Sequence, residues 1–437
     1  MNFEQAVAYL LGLGHETLTM KLGLESTELL LAALGNPERS FLSVQIAGTN
    51  GKGSTAAMLD SICRAAGKKS GLYTSPHLIS ITERIRIAGH EISRDVFAAL
   101  ASLVRQTAER LVADGRLQAL PTFFEQITAI AFLAFRESNV DLAILETGLG
   151  GRLDSTTAAK AGVVGITQIA LDHQEYLGES IEEIAAEKAA IVRPGVSAIV
   201  GRQAPEALNV ILRQCDSVGV KPIVDQCSAS IESVSADGRF CVTFATGNNM
   251  FEQVWLGLRG RHQIENASVA IQLAVALSLP AAAILSGIEC AEHAGRLEII
   301  ETTPRTLLDG AHNPAGAAAL RDHIKTFVAK PITIVFAAMR DKQIKLIAQA
   351  LFPLADHVVL TTLDNPRAAD SGSLSIMADS FSADVNVTIA QSVSQALELA
   401  QKLTSPDGTI CVTGSLYLVG EAREVLSQKH MTQTALV

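Results

Sequence analysis

Apolar positions along the chain fall into short dense runs separated by longer stretches with helical spacing. Runs rich in Val, Ile and Leu predict strands at 43–47, 70–73, 141–146, 162–167 and 197–200. Helical spacing predicts helices over 55–66, 94–114, 124–138, 181–192, 205–217 and 263–277. Segment 228–254 breaks the rhythm, because an Asp237-Gly238 turn precedes the alternating Arg239-Phe240-Cys241-Val242-Thr243-Phe244. That is a hairpin signal, and it predicts a small antiparallel addition. Past Cys290 the alternation restarts, with strands expected at 297–301, 305–308, 332–336, 357–361, 385–389 and 409–412.

Strands that alternate with helices predict the α/β class with mostly parallel sheets. A chain of 437 residues also exceeds what one core holds. The expected architecture is an N-terminal P-loop-type domain over 1–294, carrying the antiparallel addition, and a smaller Rossmann-like doubly wound domain over 295–437.

Composition narrows the class. Hydrophobic residues at 48% and charged residues at 18% fit a globular enzyme and exclude a disordered chain. No apolar run is long enough for a membrane span, and Met1-Asn2-Phe3-Glu4-Gln5 does not resemble a signal peptide. A net charge of −10 without a Lys/Arg cluster excludes nucleic acid and anionic membrane as partners. The six cysteines contain no C-x-x-C pair, so buried free thiols in a cytoplasmic monomer are expected, ahead of disulfides or zinc.

The chemistry gathers at predicted strand ends, where ligands collect in open α/β sheets. Val44-Gln45-Ile46-Ala47 runs into Gly48-Thr49-Asn50-Gly51-Lys52-Gly53-Ser54-Thr55, a strand, a glycine-rich turn with one lysine, and a helix start. Such a turn lets backbone N–H groups converge on a phosphate, although an ordinary glycine turn shares the composition. The spacing departs from G-x-x-x-x-G-K-[ST], since Ile46 holds the first glycine position and Gly53 follows the lysine. Tyr73-Thr74-Ser75-Pro76-His77-Leu78 could bring Ser75 to a metal or phosphate, or be a capped loop with a surface histidine. Glu146 ends an apolar strand before Thr147-Gly148-Leu149-Gly150-Gly151-Arg152-Leu153-Asp154, which suits magnesium beside phosphate. Arg152 and Asp154 could address an anion or polar heterocycle, or merely pair with each other.

Leu171-Asp172-His173 could complete a metal shell through a neutral His173, while Lys188 reads as a solvated helix lysine paired with Glu183 or Glu187. In the second half, Asp309-Gly310-Ala311-His312-Asn313-Pro314 offers Asp309 to a ribose or metal and His312 to a phosphate. A plain turn with Asn313 as helix cap and Pro314 in the first helical position explains part of it equally. Met339-Arg340-Asp341-Lys342 and Asp364-Asn365-Pro366-Arg367 bring basic residues to the same edge.

Together these motifs, with Glu83-Arg84-Ile85, resemble the folylpolyglutamate synthase/dihydrofolate synthase family of the Mur ligase superfamily, in the family's order and over most of the chain. The resemblance implies ATP-dependent attachment of L-glutamate to dihydropteroate, and to folates, through an acyl phosphate. It implies ATP and Mg2+ as cofactors. Thr49, Asn50, Gly51, Lys52, Gly53, Ser54, Asn266, Arg296, Asp309 and His312 would bind ATP, and Ser54, Ser75, Glu146 and His173 the metal. Lys52, His173 and Lys188 would be catalytic, with Lys188 carried as a carbamate, which replaces the solvated-lysine reading. Phe124, Arg152, Asp154, Ser155 and Arg367 would meet substrate. Thr147, Ser155-Thr156-Thr157 and Gln174-Glu175-Tyr176 depart from the family's common residues, without touching a proposed metal or phosphate contact. A peptidoglycan-precursor ligase is a second reading, opposed by Gly53 and the Ser75-Pro76-His77 loop. A non-catalytic nucleotide-binding regulator is a third; it predicts damage at Lys52, Glu146 or His173, which are intact.

Overall fold

The strand expected at 43–47 forms as β1 (Leu42–Ala47), in the middle of an eight-stranded sheet. It lies parallel to β5 (Leu142–Glu146) on one side and β6 (Val163–Ile166) on the other. Outside β5 runs β2 (Ser70–Tyr73); outside β6 run β7 (Ser197–Val200) and β8 (Ile223–Val224), all parallel. A hairpin of β3 (Ile85–Ile87) and β4 (His90–Glu91), too short to show in the apolar pattern, adds an antiparallel edge beyond β2. The central strands are apolar without alternation because both faces are covered: Val44, Ile46, Ile144 and Leu145 are all fully buried. Helices Arg94–Ala113 and Phe123–Glu137 cover one face, and Lys52–Ala65, His262–Ala276 and Ala281–Glu289 the other.

The structure is a computed structural model that describes residues 1–14, 23–370, 372–374, 376 and 385–434, with the backbone alone for 429–434. The antiparallel addition forms from β9 (Cys227–Val234), β10 (Phe240–Thr246) and β11 (Asn249–Trp255). Its turn sits on helix Pro314–Phe327. Gly238, at φ +78°, lies so close that a Cβ there would be 2.5 Å from His323 Cε1. Phe240 and Phe327 meet edge to face at 6.0 Å.

The second sheet contains β12 (Glu298–Ile300), β13 (Arg305–Asp309), β14 (Ile332–Phe336), β15 (His357–Thr361), β16 (Asn386–Ala390) and β17 (Thr409–Thr413). Their order is β12-β13-β17-β14-β15-β16, parallel except for β12. The α/β class with two mostly parallel sheets and a small antiparallel addition is therefore as expected. One smaller expectation changes. Of the six free cysteines Cys290 is exposed and the others are buried. Among the described residues, no helix is long and apolar enough to cross a membrane.

Candidate active site

Register places the chemistry. Ile46 is level with Glu146, Ala47 with Ile166 and Tyr73 with Leu145, so the loops after β1, β2, β5 and β6 leave one edge together. The helix after β1 begins at Lys52 rather than 55, leaving Gly48-Thr49-Asn50-Gly51 as the turn. Both glycines are required: Gly48 has φ +151° and Gly51 φ +87°, and a Cβ would lie 1.9 Å from Thr167 Oγ1 or 2.0 Å from Asn266 Oδ1. The Thr49 and Asn50 N–H groups donate to Gln168 O at 2.8 and 3.1 Å, fastening the turn to the segment after β6. The first N–H groups of the helix have no intrahelical acceptor and form an anion seat. Lys52 Nζ folds over that seat, donating to Gly48 O at 3.1 Å and Thr49 O at 3.3 Å. Desolvation lowers the Lys52 pKa, and the charge of Glu146 opposes that shift.

Glu146 is buried at the tip of β5 and accepts from the Ser75 N–H at 3.2 Å. Burial raises its carboxyl pKa, with Lys52 pulling the other way. His173 stands at φ +51°, and burial, followed by the charge of Lys342, holds its imidazole down to about 3. It is therefore neutral, and its Nδ1 is buried with no hydrogen-bond partner. Lys188 is 4% exposed, and desolvation followed by the charge of Lys52 brings its amine down to about 7. The glycine loop makes this approach possible: a Cβ on Gly151 would lie 2.9 Å from Glu187 O and 3.0 Å from Lys188 O. Among the described residues no three His, Cys, Asp or Glu side chains form a ready metal cage. A divalent ion beside phosphate needs less, one or two protein ligands completed by phosphate oxygens and water. The orphaned Nδ1 of His173 and the buried carboxylate of Glu146 fit that requirement.

The second sheet closes the site through Asp172. Lys342 Nζ lies 2.6 Å from Asp172 Oδ1, and His312 Nε2 3.5 Å from Oδ2. Asn313 Nδ2 donates to Asp172 Oδ2 at 3.1 Å and to Asn50 Oδ1 at 3.0 Å, while its Oδ1 caps helix Pro314–Phe327 through Gly316 N–H. Burial pushes the Asp172 carboxyl up, but the hydrogen bond from His312 and the surrounding positive charges hold it well below the carboxylate range. Asp309 is committed to the backbone, accepting from Leu297 and Ala311 N–H at 3.0 Å each. Burial raises its pKa.

A cleft of about 310 Å3 joins these groups. Its lining holds the Thr49–Ser54 stretch, Ser75, Phe124, Glu146, Asp154, Ser155, His173, Lys188, Asn266, Arg296, Asp309, His312 and Arg367, so nearly every sequence candidate is brought together. Phe124 faces the cleft and stacks obliquely on Tyr73 at 6.0 Å, whereas its neighbour Phe123 is core. Arg367 reaches the cleft while paired with Asp341 at 2.9 Å.

Two candidates differ from expectation. Arg152 is outside the lining; its guanidinium turns outward to Glu187 at 3.0 Å and is 55% exposed. Asp154 lines the cleft, yet its oxygens accept from Gly148 N, Leu149 N, Thr156 N and Thr156 Oγ1, which uses its four lone pairs. Its carboxylate organises the glycine loop, and a heterocycle could reach it only by sharing.

Several groups of the site carry no clear signal in the sequence. Asp172 carries no distinct signal within Leu171-Asp172-His173. Lys342 reads only as a basic loop residue, and Asn313 only as a cap. Gln263 Nε2 reaches Ser54 Oγ at 3.4 Å, and His293 Nδ1 lies 3.3 Å from the same hydroxyl. His293 lies in the link between the sheets, where no periodicity or motif signals it.

Matches to known proteins follow the same division. The Mur ligase middle domain matches residues 46–274, and the Mur ligase, glutamate ligase domain matches residues 295–416. A Bacillus subtilis dihydrofolate synthase/folylpolyglutamate synthase is 34% identical over 420 residues, covering 93% of this chain and 95% of its own. The chain belongs to this family of Mur ligases. A Halobacterium salinarum relative, a probable bifunctional folylpolyglutamate synthase/dihydropteroate synthase, is 36% identical over 97% of this chain, which spans 51% of its length. The chain thus spans about half the length of that relative. The Mycobacterium tuberculosis folylpolyglutamate synthase complexed with ADP superposes with a TM-score of 0.90 and 31% identity, covering 97% of this chain and 98% of that one. A bifunctional folylpolyglutamate synthase/dihydrofolate synthase with Mn, AMPPNP and L-glutamate bound gives a TM-score of 0.85 and 28% identity, covering 98% of each chain.

Proposed function

We propose that the protein is an ATP-dependent amide ligase that adds L-glutamate to dihydropteroate, and also to folates. The observation that carries this reading is the convergence of the phosphate turn, Glu146, neutral His173 and low-pKa Lys188 in one cleft closed by the second sheet. It fits the family, whose relatives carry both synthase names. The domain boundary at 294/295 belongs to the same proposal, with ATP between 1–294 and 295–437.

The reaction needs a good leaving group on a carboxylate, which oxide is not. A carboxylate oxygen of the pterin substrate attacks the γ-phosphorus of ATP, forming an O–P bond as the β–γ bridge breaks and ADP leaves. The glutamate amine then attacks the acyl carbon, loses its proton and expels phosphate as the amide forms. In this reading the Gly48–Gly51 turn and the helix N–H groups hold the phosphates, and Lys52 spreads positive charge over them as the bridge breaks. Glu146, His173, Ser54 and Ser75 would hold a magnesium ion, which supplies charge neutralisation between the two approaching anions. Lys188 has the neutral amine fraction that reaction with carbon dioxide requires, so a carbamate can form there and add a carboxylate-like group. Arg296, Asp309, His312 and Asn266 would position the nucleotide. Phe124 offers a flat face to the pterin, with Ser155 and Arg367 at the cleft wall. Arg152 contributes at most long-range charge. A cytoplasmic monomer remains the expected setting.

The test is ATP- and glutamate-dependent phosphate release, with dihydropteroate and with tetrahydrofolate tried separately. Release with dihydropteroate supports the first half and release with tetrahydrofolate the second. No release with either sinks the assignment.

A further inference from the structure

Leu78 follows β2 in the chain, yet it packs among residues of the second sheet's side, in a cluster with Leu308, Val412, Leu418 and Val419. Two glycines shape its seat. On the helix Leu416–Thr434, a Cβ on Gly420 would lie 2.0 Å from the Leu78 carbonyl oxygen and 2.7 Å from its carbon. In the link, a Cβ on Gly295 would lie 3.2 Å from Leu78 Cδ1 and 3.0 Å from Val419 Cγ1. The atoms that a Cβ on Gly420 would meet are backbone atoms of Leu78, so turning a side chain could not relieve the clash.

The loop that carries Leu78 is stiff. Glu83 accepts from the N–H groups of Leu78, Ile79 and Ser80 at 2.8, 2.9 and 2.7 Å. Arg84 Nε donates to His77 Nδ1 at 2.8 Å. Three residues before Leu78, the Ser75 N–H meets the Glu146 carboxylate. A rigid loop with one end in the second domain and the other on Glu146 transmits displacement rather than absorbing it.

We infer that Leu78 is a positioning residue: its docking in the Gly295–Gly420 notch aligns Ser75 and Glu146 only when the two domains are together. This rests on the proposed role of Glu146 and Ser75 in the ligase reaction. It differs from a packing role because it couples domain contact to the rate of the chemical step.

The test uses the full chain with Leu78→Ala, Leu78→Met, Gly420→Ala and the double variant Leu78→Ala/Gly420→Ala. Alanine is the stronger helix former, so harm from Gly420→Ala cannot come from helix propensity. Leu78→Ala and Gly420→Ala should each lower kcat at least about tenfold, as expected when reacting groups are displaced by an ångström or less. KM for ATP should stay within about threefold, and Leu78→Met should restore most of the rate. The double variant should be no slower than the slower single variant, because both break one contact. Small-angle scattering without ligands should show both single variants more extended than the wild type. Unchanged kcat and scattering in both single variants, or a double variant slowed by the product of the two, overturns the inference. If the wild type itself shows no ATP-dependent ligation, the proposed function fails, while the scattering comparison still decides whether Leu78 holds the domains together.

Discussion

The two sheet edges that face each other across the cleft treat buried polar groups in opposite ways. On the N-terminal side burial is left partly uncompensated: Lys188 is brought down to about 7, His173 to about 3 with an orphan Nδ1, and Glu146 is pushed up. On the facing side Lys342 and Asn313 are spent on one fixed partner, Asp172. Uncompensated desolvation keeps a group ready to change its protonation or to take a ligand. Compensated burial gives cohesion instead, because removing one partner strands a charge. One edge is arranged for reaction and the other for closure.

Breaking the reactive edge should have the largest effect. Glu146→Gln keeps the shape and removes the charge, and kcat for phosphate release should fall by about 10³-fold. A fall of less than tenfold would mean that Glu146 is not at the reacting phosphate.

Lys188→Ala should slow the reaction by about 100-fold, with part of the rate returned by added short carboxylates. Full activity without such rescue would count against a carbamate. The stability sign is separate. The folded pKa of Lys188 lies below the free-lysine value, so below about 7 the folded state bears the full cost of a buried charge, and that cost fades as pH rises toward about 10.4. In carbonate-free buffer Lys188→Met should therefore raise Tm more at about pH 6 than at about pH 9.

The closing edge should behave differently. Asp172→Asn should cost about tenfold in kcat/KM, together with a more extended scattering profile, because Lys342 loses its counter-charge. Its folded pKa is depressed, so its contribution is complete above the unfolded value of about 3.9 and is lost only as pH falls through the lower folded value. The ratio of Asp172→Asn to wild type should stay flat from about pH 5 to 9; a slope there would erase the contrast with Lys188. Least of all, Arg152→Ala should change kcat and KM by less than about threefold, as suits a half-exposed surface pair.

The strand pattern was legible wherever both faces of a strand are covered: 70–73, 197–200, 332–336 and 357–361 form at the expected bounds. The hairpin of Ile85–Ile87 and His90–Glu91 was not, because so few residues show no periodicity. The helix expected from 55 begins three residues earlier, at Lys52, because the φ of Gly51 allows it to start directly after the turn. Candidate groups on the turns after β1, β2, β5 and β6 could be read because each follows an apolar run. Asp172, Asn313 and His293 matter through partners more than a hundred residues away, and no local pattern announces such partners. Arg152 shows the converse: its place in a glycine-rich motif suggested a ligand, while its side chain leaves on the outer face of the loop.

The two halves of the molecule are fastened to each other at more than one place. The turn at Gly238, resting on His323 and Phe327, is one such place, and its carbonyl accepts from the Gly260 N–H at 2.9 Å. Asp172 with Lys342 and Asn50 with Asn313 are others. The small antiparallel sheet thus takes part in holding the two halves together, although its turn does not line the cleft.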